Sequence, residues 1–115
     1  MDAEGGMVIN TQQRDGATIV SPVGDIDLGR SPALRRELQS VQDSRPSRVV
    51  VDLGQVSYMD SSGVATLVEA LQVARRSSTS LVVCSLNDRV RSIFEIARLD
   101  SVFTIAADVE SALIA

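Results

Sequence analysis

The sequence has no histidine, no tryptophan and a single cysteine, Cys84. Without an imidazole there is no Ser-His-Asp or Cys-His nucleophile and no nitrogen ligand for a metal, and one thiol makes neither a zinc site nor an internal disulfide. Lysine is missing too, so every one of the 11 basic residues is an arginine. A P-loop, a Schiff base and a phospho-aspartate receiver each use a lysine, and ATP binding by this chain is therefore not expected. One Tyr and two Phe accompany a formal net charge of -4. That balance offers neither the basic surface nor the stacking rings of nucleic-acid binding. No stretch approaches the ~18 apolar residues of a membrane span, and the acidic, glycine-bearing start has no apolar core of a targeting segment. Together these features predict a cytoplasmic protein in a reducing compartment, with no cofactor and no membrane insertion.

What is present suits one globular domain: 115 residues, 44% apolar and 23% charged, with seven glycines and three prolines. A chain of this size buries one core and folds alone. Residues 1–6 read as a flexible N-terminus and residues 7–115 as the domain.

Met7 to Gln13 and Ala17 to Val23, separated by Arg14-Asp15-Gly16, predict a hairpin. A loop, Gly24-Asp25-Ile26-Asp27-Leu28-Gly29, leads to Ser31-Pro32, read as a side-chain cap followed by a proline in the first helical turn. Leu34, Leu38 and Val41 then recur at helical spacing and the pattern stops before Pro46. Arg48 to Leu53 is a short β-branched apolar run, as a central strand covered on both faces requires. A second helix follows Asp60-Ser61-Ser62-Gly63, with Val64, Leu67, Val68, Leu71 and Ala74 as its stripe. Leu81 to Cys84 reads as another buried strand, with Cys84 inert. Asn87 or Asp88 caps a third helix whose inward residues are Val90, Ile93, Phe94 and Ala97. Val102 to Ile105 is a last strand, and a terminal helix begins at about Asp108. Strands alternating with helices imply right-handed crossovers, so the fold class is α/β: a mixed, mainly parallel central sheet of four to five strands flanked by about four helices.

The junction between the central strand and the second helix is the most informative stretch. A helix N-terminus gathers unpaired N–H groups and the positive end of the dipole, so a hydroxyl held there, that of Ser61, can carry a phosphate. The same residues, Asp60, Ser61 or Ser62, also serve as ordinary helix caps, with Gly63 relieving crowding. Asp25 and Asp27 read equally as solvated turn acids. Arg89, Arg91 and Arg98 read as a solvated helix face, and Met59 and Val64 as apolar residues flanking the serine, either exposed anchors or core.

With its Gly24-Asp25-Ile26-Asp27 loop and its Asp60-Ser61-Ser62-Gly63 turn, the chain resembles the STAS domains, and among them the anti-sigma factor antagonists, from about Met7 to Ala115. The resemblance implies that Ser61 is the phosphoacceptor, and that Asp25, Asp27 and Asp60, together with Ser61, Ser62 and Gly63, face a partner. It further implies a regulator without catalytic activity. Unphosphorylated, such a protein binds an anti-sigma factor that is also an ATP-bound serine kinase; phosphorylated, it lets go until a serine phosphatase restores it. A monomer or weak dimer fits this role. Two alternatives stand beside it. One is a STAS interaction subunit of a transporter or sensory complex that works without phosphorylation. The other is an enzyme whose acid/base groups come from Asp25, Asp27, Asp52 and Asp60.

Overall fold

The computed structural model describes residues 6–115. The reading of residues 1–6 as flexible therefore lies almost wholly outside the described residues. Strands β1 (Val8–Arg14) and β2 (Ala17–Val23) form the N-terminal hairpin. They pair antiparallel in register from Val8 opposite Val23 to Arg14 opposite Ala17. Only Asp15 and Gly16 remain to make the turn, both with positive φ (52° and 83°), the backbone a two-residue hairpin loop needs.

Helix α1 (Ser31–Asp43), strand β3 (Arg48–Asp52), helix α2 (Ser61–Arg76), strand β4 (Ser80–Cys84), helix α3 (Asp88–Ile96), strand β5 (Thr104–Ala106) and helix α4 (Val109–Leu113) follow in turn. The sheet order is β1-β2-β3-β4-β5, with every pairing after the hairpin parallel. Consecutive parallel strands that add on the same side send crossovers of one hand over one face. Accordingly α1, α2 and α3 share a core with Val20, Val49, Val51, Leu81 and Val83. On the opposite face α4 covers Ile19, Val50, Val82, Cys84 and Ala106. β3 is the middle strand and Val49, Val50 and Val51 are all buried, which is why its sequence is apolar without alternation.

The main core is closed by Phe94 and Phe103, whose rings meet edge to face at 5.3 Å. Such a pair adds about 0.5–1.5 kcal/mol to the burial of the rings themselves. Helix α4 has only five residues and is held by side chains around it. Asp108 accepts the Ser111 N–H, Arg14 forms a two-pronged pair with Glu110, and Arg48 Nη1 donates to the Ala112 carbonyl at 2.7 Å.

Several local expectations shift. Ser31 is not a cap: it is the first residue of α1 and Pro32 the second, and the helix start is organised from upstream by Asp27. Its Oδ1 accepts the Arg30 N–H at 3.0 Å while its carbonyl accepts the Ser31 N–H at 2.8 Å. Ser31 itself is largely buried. The last strand is Thr104–Ala106, not Val102 to Ile105. The chain after α3 spends Leu99 to Phe103 on turns, where the Val102 and Phe103 N–H groups both donate to the Leu99 carbonyl. Ala97 is exposed just past α3, so the inward residues of that helix reduce to Val90 and Phe94, with Ile93 at the edge.

Candidate functional site

The loop after β3 runs toward α2 through three ties that decide where Ser61 sits. Asn87 Oδ1 accepts the Val90 N–H at 2.8 Å, capping α3, while its Nδ2 donates to the Val56 carbonyl at 3.1 Å. One side chain therefore starts α3 and pins the preceding loop against it. Ile26 makes a parallel bridge with Met59. Its N–H donates to the Tyr58 carbonyl at 3.0 Å and its carbonyl accepts the Asp60 N–H at 3.1 Å. The Asp25-Ile26-Asp27 loop and the Asp60-Ser61 turn are thus neighbours through backbone hydrogen bonds, and Ile26 and Met59 are both fully buried beneath them.

Asp60 is the residue that caps α2. Its Oδ1 accepts the Ser62 N–H at 2.9 Å and the Gly63 N–H at 3.4 Å, and the Ser62 hydroxyl also donates to it. The Ser62 hydroxyl does most to hold the Asp60 carboxyl below the usual carboxylate range, with the Ser62, Gly63 and Leu28 amides adding to it against partial desolvation. Ser62 is thereby engaged within the turn. Ser61, at the first position of the helix, is exposed, and among the described residues no side-chain hydrogen bond engages it. The hydroxyl left open at the positive end of α2 is therefore that of Ser61.

Gly63 is buried against the acidic loop. A Cβ at this position would lie 2.9 Å from Ile26 Cγ2 and 3.1 Å from the Ile26 carbonyl oxygen. The glycine is what lets the two segments approach.

The candidate acids do not behave alike. Asp25 is exposed, whereas the Asp27 carboxylate is taken up by the Arg30 N–H and by an ion pair with Arg30 Nη1 at 2.9 Å. Asp52 lies on the other sheet face, where Oδ1 accepts the Gly54 N–H. The acid/base set considered from the sequence is consequently not gathered in one place. Cys84 is buried, and desolvation pushes its thiol up.

Beside Ser61 the structure opens a groove of about 470 Å³ that the sequence did not announce. Tyr58, Val64, Ile93, Ile96 and Ala97 line it, with Met59 at its base. Met59 is 1% exposed and belongs to the core, so it is not an exposed anchor. The exposed apolar side chains here are Ile96 at 84% and Tyr58 at 38%, with Leu28 at 76% on the loop whose amide faces Asp60. Arg89 lies over the Tyr58 ring, its guanidinium carbon 5.2 Å from the centroid, and so is more than part of a solvated face. The signal for Ile96 was its position: it falls off the Val90 and Phe94 stripe, so an aliphatic side chain there faces away from the core.

Comparison with known proteins bears on the family and the fold. The STAS domain profile matches residues 8–112. An anti-sigma-B factor antagonist of Listeria monocytogenes is 33% identical over 98 residues, covering 84% of this chain and 86% of that protein. The crystal structure of an anti-sigma factor antagonist from Mycobacterium paratuberculosis aligns with a TM-score of 0.88 at 24% identity, over 99% of this chain and 97% of that one. The Bacillus cell fate determinant SpoIIAA, in its phosphorylated form, aligns with a TM-score of 0.71 at 15% identity, over 93% and 97% of the two chains. With a profile match across nearly the whole domain and a relative above 30% identity over most of both chains, this chain belongs to the STAS domain family, among the anti-sigma factor antagonists.

Proposed function

We propose that the chain is a phosphorylation-controlled anti-sigma factor antagonist. In its unphosphorylated form it binds an anti-sigma factor that is also an ATP-dependent serine kinase, and so frees a sigma factor. Phosphorylation of Ser61 releases it, and a serine phosphatase resets it. The chain itself supplies a docking surface and an acceptor hydroxyl, and no catalysis.

The observation that carries this reading is the contrast between the two serines: Ser62 is tied to Asp60, while Ser61 stands exposed at the first position of α2. A kinase needs an accessible hydroxyl, and the helix N-terminus favours the product because the positive end of its dipole stabilises negative charge. The phosphorylated form of SpoIIAA among similar folds supports the same reading. A phosphoserine brings about -1.5 to -2 charge to a surface that must lose water on binding. Placed there without a counter-charge it weakens association by several kcal/mol, tens- to thousands-fold. That range is enough to switch a complex off.

The test is phosphate transfer from ATP by the serine kinases of the source organism, with the modified residue located by mass spectrometry. One phosphate on Ser61, absent in Ser61→Ala, is the expected result. Phosphate on Ser62 or in the Ser77-Ser78 turn, or none with any kinase, overturns the reading.

A further inference from the structure

We propose that the groove between the start of α2 and α3 receives an aliphatic side chain of the partner kinase, and that Arg89 beside it takes a carboxylate on the same partner segment. This rests on the function proposed above and names what recognises the partner.

Shape is the first ground. The groove is open and floored by core residues, and Ile96 and Tyr58 expose apolar surface along the same groove that Ser61 lines. Leu28, whose amide faces Asp60, is exposed as well. Apolar side chains grouped around a modifiable residue are what a protein-binding patch presents, and an aliphatic anchor entering such a slot is the usual energetic centre of an interface.

Charge is the second, independent ground, and it selects the kind of partner. Although the chain is acidic overall, two acids close to the switch serine are engaged within the fold: Asp60 caps α2 and Asp27 pairs with Arg30. Among the described residues no ion pair engages Arg89, and its guanidinium is held over the Tyr58 ring. A guanidinium stacked on an aromatic face keeps its donor edge free and loses little freedom on accepting a carboxylate in the two-pronged geometry. The complementary segment therefore carries an aliphatic residue and a nearby Asp or Glu.

The same arrangement explains how phosphate at Ser61 acts on the groove. Ser61 is on its lip, so the phosphate both offers Arg89 a competing anion and sets like charge against the incoming carboxylate. Release then follows from loss of the cation and from repulsion together.

The experiment uses the recombinant kinase that phosphorylates Ser61, titrated calorimetrically into the full chain and into Ile96→Ser, Arg89→Glu and, as a charge-reversal control away from the groove, Arg76→Glu. Ile96 and Arg89 are exposed, and unchanged melting temperatures would show that both variants fold. Each is expected to bind at least tenfold more weakly than the wild type, while Arg76→Glu, a charge reversal at the exposed C-terminal end of α2, binds as the wild type does. Reversing one kinase carboxylate to arginine should restore binding to Arg89→Glu alone. Wild-type affinity in either groove variant overturns this inference and leaves the phosphorylation reading standing. A kinase that neither binds nor phosphorylates the wild type removes both.

Discussion

Gly63 in α2 lies against Ile26 in the acidic loop so closely that a methyl group on the glycine would come within 3.1 Å of the Ile26 carbonyl oxygen. In an unconstrained helix Gly→Ala gains up to about 1 kcal/mol of helix propensity. Here that gain competes with overpacking of a buried site, which costs about 1–3 kcal/mol, and Ile26 is fully buried and has no room to yield. Gly63→Ala is therefore expected to lower stability by about 1–2 kcal/mol in a denaturant melt and to slow Ser61 phosphorylation, because the Ile26 bridge that positions Asp60 is pushed away. A stabilised variant would show that the loop gives way and that the close approach is unimportant.

The two serines should separate in the same assay. Since Asp60 and not Ser61 caps α2, Ser61→Ala should leave stability within about 0.5 kcal/mol, as for a surface position. An acid at the helix start is favourable, so Ser61→Asp should also fold, while mimicking part of the phosphate charge and weakening kinase binding. Ser62→Ala removes a hydroxyl that donates to Asp60, and should lower stability by about 0.5–1.5 kcal/mol. If Ser61→Ala proves the more destabilising of the pair in chemical denaturation, the assignment of roles in this turn is wrong.

Much of this was legible in the chain itself. Helical stripes such as Leu34, Leu38 and Val41, and the β-branched run at Val49 to Val51, announce elements because burial imposes a period or its absence. The acidic loop and the serine turn were readable as a family pattern. Their adjacency, however, depends on the Ile26–Met59 bridge, a long-range backbone pairing of two residues that by sequence are only apolar loop positions. Asn87 was visible as a cap but not as the clasp on Val56. The groove was hidden for the same reason. It exists only once α3 is set beside α2, and nothing local tells Ile96, which faces outward, from a residue awaiting a partner. Ser31 misled because a serine before a proline has the chemistry of a cap, while Asp27 four residues earlier had already taken the upstream role.

Asp25 and Asp27 were alike in sequence and differ in the fold, which gives them separable phenotypes. Asp27→Ala loses the side-chain acceptor for the Arg30 N–H, whose bond to the Asp27 carbonyl remains, and the exposed pair with Arg30, and should destabilise the domain by about 0.5–1 kcal/mol. Asp25→Ala, at an exposed position, should stay within about 0.5 kcal/mol of the wild type yet weaken kinase binding or slow phosphorylation of Ser61. Thermal melts and a binding titration on the two variants decide it. Wild-type binding and phosphorylation in Asp25→Ala would remove that residue from the interface.

Acid should act on the switch turn through Asp60. Its carboxyl is held below the usual range, chiefly by the Ser62 hydroxyl and then by the Ser62, Gly63 and Leu28 amides, so the folded state favours the ionised form more than the unfolded chain does. The resulting stabilisation is complete above the unfolded-state value near about 4 and is lost as pH falls below it through the lower folded-state value. Asp108 and Glu110 are lowered as well, by the Ser111 N–H and by Arg14, and contribute to acid sensitivity with the same sign from α4, on the opposite face of the sheet. Asp60→Asn isolates the serine turn, because an amide oxygen can still accept the Ser62 and Gly63 N–H bonds but carries no charge. Between about pH 5 and 7 the wild type should exceed this variant by a constant margin, and between about pH 4 and 2 the margin should close. Denaturant melts across that range measure it directly. A margin that stays constant to pH 2 would mean that the cap works by hydrogen bonding alone, with no contribution from the Asp60 charge.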